Sequence, residues 1–299
     1  MSSQRTPARL ARRRKWTAFV AMLTVAVSLL VAGCGGGATV SVPQIGPART
    51  FTLAGFQPAA AAVAGRPTTI SFTVRQPSGR PLTQYRTGPG PHTGVHVIIV
   101  RDDLAYIIHH HPPVGPSGRF RQTVIFPAPG PYRVLVDIYP NIPGGQPNFQ
   151  LVRTVTVAGP YRPRSLPPPA SRLVVDGFHI DMHPHPALHA IQAQFVSVDV
   201  SDANGRPVRF EPWFGALAHA IFFRAGSLDY FHSHICAPDA PNCGTLPGVT
   251  SSRVAGSSQA PGKLTIGVLL PEPGVWRLFL QMKLSGRVIT APFTLRVDA

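Results

Sequence analysis

Hydrophobic side chains recur at every second position in several short stretches of the chain. The clearest of these stretches are residues 69–74, 122–126, 132–139, 263–270 and 276–282. A period of two is that of a β-strand with one face toward a core and the other toward water. Turns rich in glycine and proline separate the stretches, and no convincing helical period occurs beyond the N-terminal region. The pattern therefore predicts an all-β protein built from antiparallel sandwiches.

Several short motifs occur twice and in the same order. Ordered self-similarity of this kind indicates a duplicated domain. The four motif pairs are residues 52–56 and 174–178, 71–81 and 196–207, 127–133 and 271–277, and 152–157 and 293–297.

A proline-rich stretch, residues 160–172, separates the two copies and predicts a stiff linker of polyproline type. We expect two tandem immunoglobulin-like antiparallel β-sandwiches, at residues 50–159 and 173–299.

The N-terminal region has the pattern of an export signal. Basic residues at 12–15 precede an apolar stretch at 16–32, and Leu-Val-Ala-Gly then leads into Cys34. This ending resembles the lipobox of bacterial lipoproteins, in which the cysteine is lipidated and becomes the new N-terminus. We therefore expect residues 1–33 to be a signal peptide and residues 34–49 a flexible tether. A plain transmembrane anchor is the alternative, and the export route, general or twin-arginine, stays open.

The charge of the chain is strongly positive but dispersed. Six basic residues and no acidic residue precede Cys34, which reduces the net charge of +16 to +10 for the mature chain. The remaining arginines occur singly and without interleaved aromatic residues, which argues against a nucleic-acid groove. Two further cysteines, Cys236 and Cys243, predict a disulfide in an exported protein. Metal ligation by the two thiols is the alternative.

Histidines follow the same spacing in both copies. A histidine precedes an apolar strand, and a His-x-His pair follows the next turn, thirteen residues later. Ser233 stands where the first copy has His110, so His110 is not part of the repeated pattern. The repeated residues are His96, His109 and His111 in the first copy and His219, His232 and His234 in the second.

The spacing predicts that these rings converge. Residues i and i+2 of a strand share a face, and a hairpin centred near Asp103 places His96 opposite His111. The second hairpin likewise places His219 opposite His234. Each hairpin is thus expected to offer three imidazoles, open to a fourth ligand, which suits copper or zinc. Binding should weaken as the pH falls through about 6, where free imidazole protonates. Histidines that only pack in the strands are the alternative.

This hairpin resembles those of exported bacterial β-sandwich domains grouped with YtkA-like and copper-resistance CopC-like proteins. The shared features are Asp-Leu in the turn at 103–104, His-x-His-Pro at 109–112, and Pro-x-Pro-Gly-x-Tyr/Trp-Arg at 127–133 and 271–277. The resemblance implies a role in metal handling for the six repeated histidines. The second copy departs from the pattern because Ile235 replaces the closing proline.

A second group of candidate ligands occurs in the second copy alone. Imidazoles and a thioether in one loop form a donor set that copper favours. The residues are His179, Met182, His183, His185 and His189.

The sequence offers little for catalysis. Glu211 and Glu272 are the only glutamates, and neither a Gly-x-Ser-x-Gly elbow nor a phosphate-binding loop occurs. We therefore expect no enzyme activity. The expected function is that of a lipid-anchored protein on the extracytoplasmic face of the cell membrane that binds or buffers a transition-metal ion. Copper is the first choice and zinc the second, and other metal-handling envelope proteins are the expected partners. The alternative is an adhesive or scaffolding immunoglobulin-like module at the cell surface.

Overall fold

The computed structural model describes residues 50–86, 94–183, 187–236, 256–258 and 260–299. Cys34, together with the predicted signal peptide and tether, lies outside these residues. Arg49–Ala299 forms one compact unit that contains both copies. Within the described residues, no helix has the length and apolar character needed to cross a membrane.

The first copy consists of strands joined by short turns. Over its described residues these are β1 (Thr52–Gln57), β2 (Ala62–Val63), β3 (Pro67–Arg75), β4 (Val95–Arg101), β5 (Ile107–His110), β6 (Arg119–Ile125), β7 (Gly130–Ile138) and β8 (Phe149–Ala158).

The second copy repeats this arrangement with additional strands. Over its described residues these are β9 (Arg172–Val175), β10 (Phe178–His183), β11 (Leu188–His189), β12 (Gln194–Ser201), β13 (Ala218–Arg224), β14 (Tyr230–Cys236), β15 (Gly256–Ser257), β16 (Lys263–Val268), β17 (Gly274–Leu284) and β18 (Arg287–Asp298).

Each copy is a sandwich of two layers around its own apolar core. In the first copy, the sheet β1-β3-β6 packs on the sheet β2-β8-β7-β4-β5. The second copy has the equivalent layers, but β15 pairs with both β14 and β16 and joins them into one sheet. Most pairs are antiparallel, whereas β2 with β8, β11 with β18, and β14 with β15 are parallel. The predicted pair of immunoglobulin-like sandwiches is confirmed.

The repeated Pro-x-Pro-Gly-x-Tyr/Trp-Arg motif forms the corner that leads into β7 and β17. The hydroxyl of Tyr132 donates a hydrogen bond to the carbonyl of Ala128 at 2.9 Å, four residues upstream. Trp276 Nε1 donates to the carbonyl of Glu272 at 2.9 Å in the second copy. A side chain that bonds back to its own corner in this way is a feature of immunoglobulin sandwiches, where a tyrosine occupies the position.

Replacing Tyr132 with phenylalanine should destabilise the chain by about 1 kcal/mol, because the half-buried corner at Ala128 loses its hydrogen bond while the packing volume is kept. Urea unfolding measures the change, with Tyr106→Phe at a half-buried site as the control. An unchanged free energy of unfolding for Tyr132→Phe would show that the corner bond is not stabilising.

The members of one of the four motif pairs do not occupy equivalent positions in the two copies. Leu53 of β1 pairs with Val74, and the equivalent partner of Val200 in the second copy is Ile180 of β10. Residues 174–178 instead form the β9–β10 hairpin, for which the first copy has no counterpart among its described strands. The similarity of residues 52–56 and 174–178 is therefore coincidental, because a Gly-Phe pair is too short to specify register.

A second difference concerns which strand faces are buried. All seven residues of β4 are buried, and so are six of the seven in β13. The sequence pattern predicted one face toward water, as in an isolated antiparallel sandwich. Here the outer faces of both strands are covered by the other copy of the domain.

Candidate metal centre

The two histidine hairpins have the predicted register. Ile98 pairs with His109 in the β4–β5 hairpin, and continuing this register places His96 opposite His111. In the β13–β14 hairpin, His219 pairs directly with His234. The repeated histidines therefore lie on one face of each hairpin, as expected from a period of two.

That face is the outer one of each sandwich. Val97 and Ile99 of β4 point into the first-copy core, whereas His96, Ile98 and Val100 point away from it. The outer residues of β13 follow the same rule. The two outer faces pack against each other in a third apolar cluster, which we call the inter-copy core. Its buried members are Ile98, Val100, Leu104, Leu135, Ile221, Phe223, Leu228 and Phe279.

The turns of the two hairpins contribute a matched pair of leucines to the inter-copy core. Leu104 has a φ of 58° and Leu228 a φ of 61°, although both are non-glycine residues. Such a conformation costs on the order of 1 kcal/mol and persists only where the surroundings enforce it. Burial of both side chains between the copies supplies that enforcement and explains the leucine in the Asp-Leu turn.

At one end of the inter-copy core, the six repeated histidines form a single group, the six-histidine cluster. The ring centroids of His96 and His232 are 5.2 Å apart, and those of His109 and His219 are 5.0 Å apart. Both contacts join rings of different copies. Neither a single hairpin nor a single copy therefore contains the whole site.

Three sets of ring nitrogens in the cluster converge closely enough to hold an ion, each with its ligand atoms within 4.8 Å of one another. One set is the predicted first-copy trio. The second-copy trio is distributed over the other two sets, each of which also contains a first-copy ring. The sets are His96, His109 and His111; His96, His232 and His234; and His109, His219 and His232.

Hydrogen bonds determine which nitrogen carries the proton in two of the rings. Nδ1 of His109 lies 3.1 Å from Oε1 of Gln281, an acceptor, so Nδ1 is protonated and Nε2 has its lone pair free to bind. Nε2 of His219 lies 3.0 Å from the carbonyl oxygen of Trp213, so Nδ1 is the lone-pair atom there. Oxygen acceptors orient metal-ligating histidines in this way.

The lone-pair atoms of these two rings each meet a second imidazole. Nε2 of His109 is 3.0 Å from Nε2 of His111, and Nδ1 of His219 is 3.3 Å from Nε2 of His232. In each contact the second ring donates a proton to the first. A metal ion could replace that proton and bind both nitrogens.

Burial favours the neutral form of four of the rings. Desolvation lowers the pKa of His219 to about 3, with neighbouring His96 adding to the effect. Desolvation also lowers the pKa of His109 and His232 well below the ordinary value, and that of His111 too, with further contributions from the surrounding imidazoles. Neutral imidazole is the form that binds metal.

A carboxylate is buried beside the cluster. Asp137 is 2% exposed, and its Oδ2 lies 3.8 Å from Nδ1 of His96. It accepts hydrogen bonds from the hydroxyl of Tyr139 and from Gln150, both neutral donors. No lysine or arginine of the described chain forms an ion pair with it. A buried charge is costly without a counter-charge, and a cation in the cluster would supply one.

Asp137 and Gln281 occupy equivalent positions in β7 and β17, next to the histidine strands. Asp137 pairs with His96, and Gln281 pairs with His219. The sequence analysis missed both residues. The signal was a polar residue at the same place in an apolar stretch of each strand, residues 134–138 and 278–282.

Two aromatic residues of the second copy cover the cluster. The ring of Phe214 stacks on His111 with centroids 4.1 Å apart, and Trp213 lies 5.4 Å from His109 and 5.1 Å from His219. These residues bring apolar surface to rings of both copies and limit the access of water to the site.

The second predicted group of ligands does not come together. Residues 178–183 are the strand β10 rather than a loop, so successive side chains alternate in direction. Met182 is buried in the second-copy core, whereas His179 and His183 lie on the opposite face. His189 is in β11, near the carbonyl of Ala299, and His185 lies outside the described residues.

The cysteine predictions fall partly outside the structure. Cys236 is buried at the end of β14, and Cys243 lies outside the described residues. Their pairing stays a prediction, as does lipidation of Cys34.

Comparison with protein families gives a match to both copies. The model of the family described as "Domain of unknown function (DUF8832)" matches residues 50–158 and 173–299. The chain belongs to this family. The description carries no activity, and the resemblance to YtkA-like and CopC-like domains stays a prediction. No curated protein sequence matches the chain.

Comparison of this DUF8832 chain with solved structures gives matches of low sequence identity. Invasin, a bacterial integrin-binding protein, is 15% identical with a TM-score of 0.23, and the match covers 84% of this chain and 39% of the invasin chain. The fibronectin(III)-like modules of Clostridium thermocellum CbhA are 11% identical with a TM-score of 0.21, covering 84% and 94%. A tetra-tandem repeat from the extending region of a large adhesion protein is 10% identical with a TM-score of 0.25, covering 84% and 49%. At these values the likeness does not extend to function.

Proposed function

We propose that this protein binds a transition-metal ion in the six-histidine cluster, and that copper is the physiological ion. The observation that carries the proposal is the fixed proton position in His109 and His219. In each ring an oxygen acceptor holds one nitrogen, and the other presents its lone pair to a neighbouring imidazole. Histidines that only pack would not need a lone-pair nitrogen directed at a second imidazole in both copies.

The donor set favours copper. Imidazole nitrogen suits copper, zinc, nickel and iron, and among divalent ions of the first row copper binds such sites most tightly. Zinc is the second choice because it also accepts three histidines with an open position. Lipidation of Cys34 would hold the site at the outer side of the membrane, where it could buffer the ion or pass it to other metal-handling envelope proteins.

Copper titration of the chain without residues 1–34, purified without a histidine tag, tests the proposal. We expect saturable binding that survives competition with a chelator, together with quenching of Trp213 fluorescence, because that ring lies 5.4 Å from His109. The only other tryptophan retained is Trp276, in the second-copy core, and Trp213→Phe should remove most of the quenching.

The histidine variants decide between binding and packing. His109→Ala/His111→Ala should bind less copper than the unmutated chain, because two of the three converging sets lose a ligand, whereas the matched control His110→Ala should bind as much. His110 is adjacent in sequence but pairs with Val97, which points into the first-copy core. Equal copper binding by both variants, with folding intact, would favour the adhesive or scaffolding alternative.

A further inference from the structure

The number of histidines in the cluster exceeds the need of one ion. A structural zinc or similar ion takes four ligands, and an open site takes three from the protein. Six buried or half-buried imidazoles therefore leave at least two rings unused if one ion is bound. A buried polar ring that loses its partner is costly, so a surplus of this kind calls for a second occupant.

The nitrogen–nitrogen contacts locate two positions. Ligand atoms about 2.0–2.1 Å from a tetrahedral ion lie roughly 3.3 Å from each other. The contact of His109 with His111 is 3.0 Å, and that of His219 with His232 is 3.3 Å. The two contacts share no residue. Each therefore has the spacing of two ligands on one ion, so the cluster offers two such positions.

The remaining two rings lie next to these two contacts. His96 converges with His109 and His111 within 4.8 Å. The ring of His234 lies 4.3 Å from that of His232 and 5.0 Å from that of His219. The first position thus has three converging imidazoles, and the second has two with a third ring beside them. The two positions are adjacent, because the centroid of His109 is only 5.0 Å from that of His219 and 5.4 Å from that of His232.

A separate observation also indicates a missing occupant. The hydroxyl of Tyr230 is buried and has no hydrogen-bond partner among the described residues, and neither does Nδ1 of His232. Tyr230 lies two residues before His232 on the same strand face, with ring centroids 6.1 Å apart. A hydroxyl in this place can donate to a solvent ligand on the nearby ion, which a dry, metal-free packing arrangement would not provide.

We propose that the six-histidine cluster is a dinuclear centre, in which two copper ions are held between the copies. This inference rests on the proposed function and adds the stoichiometry and the pairing of ligands. His96, His109 and His111 hold one ion, and His219 and His232 hold the other, with His234 beside it. Asp137 supplies negative charge beside the first ion.

Copper counting tests the stoichiometry. The chain is loaded, dialysed against a weak chelator, and assayed for copper and protein by mass spectrometry and amino-acid analysis. We expect two copper ions per chain, and still two in a background of His179→Ala/His183→Ala, which removes imidazoles from outside the cluster. His111→Ala and His219→Ala should each retain one. One ion per wild-type chain would overturn the dinuclear centre but not metal binding; no retained ion would overturn the proposed function itself.

Electron paramagnetic resonance of the unmutated chain supplies a measurement that does not depend on the folding of variants. One equivalent of Cu(II) should give an isolated spectrum. At two equivalents, coupling between neighbouring ions should broaden the spectrum or reduce its double integral below two spins per chain. Two full, uncoupled spins would overturn the proposal, because they would place the second ion outside the cluster.

Discussion

Replacing both His109 and His232 with alanine should weaken copper binding at least 100-fold, which is a loss of about 2.7 kcal/mol in binding free energy. We expect this loss even though each hairpin loses only one imidazole. The reason is that every converging set of ring nitrogens contains at least one of these two residues. Four histidines of the cluster remain in the variant, but no complete set does. Competition with a chromophoric chelator measures the change.

The matched control removes the same number of imidazoles from outside the cluster. His110→Ala/His183→Ala should bind copper as the unmutated chain does, because His183 is exposed on β10 and His110 is directed to the opposite side of β5. Loss of binding in the control would mean that the histidines act collectively and without a defined site. Full binding by His109→Ala/His232→Ala would refute the shared cluster.

Acid should destabilise the metal-free chain in the window from pH 6.5 downward. Four cluster histidines have a pKa below the ordinary value because burial disfavours their cations. In that window the unfolded chain binds protons that the native chain excludes, so stability falls as the pH falls. The loss is about 1 kcal/mol per histidine between pH 6.5 and 5.5, or about 4 kcal/mol for four.

Urea unfolding at a series of pH values measures this dependence. His111→Gln should reduce the slope by about a quarter, because it removes one of four such groups. Copper should shift the loss of stability to lower pH. A free copper concentration 100 times the dissociation constant adds about 2.7 kcal/mol to the free energy of unfolding. A flat pH profile for the metal-free chain would show that the rings are already solvated or protonated.

The lowered pKa values also bear on an expectation of the sequence analysis that stays a prediction. Binding was expected to weaken as the pH fell through about 6, the value for free imidazole. In the folded chain, proton competition at His219 begins near its pKa of about 3 instead. The difference arises from burial between the copies, which a single hairpin would not produce.

The sequence by itself determined the elements of this protein. The period of two specified the strands, the repeated motifs specified two sandwiches, and the thirteen-and-two spacing placed His219 opposite His234. All of these are local properties, because they depend on strand geometry and on the turn between neighbouring strands. The sequence also contains the continuous apolar run Val97–Val100, but it does not show that the outer face of this strand packs against the second copy.

Only the tertiary structure decided that the two hairpins share one site. The outer faces of β4 and β13 bury Ile98 and Phe223 against each other, and this packing brings His109 to within 5.0 Å of His219. It also gives His109 its partner Gln281, which is 172 residues away in the chain. Contacts between residues so far apart in the chain depend on which apolar surface the other copy covers. The repeats and spacings in the sequence do not specify that surface.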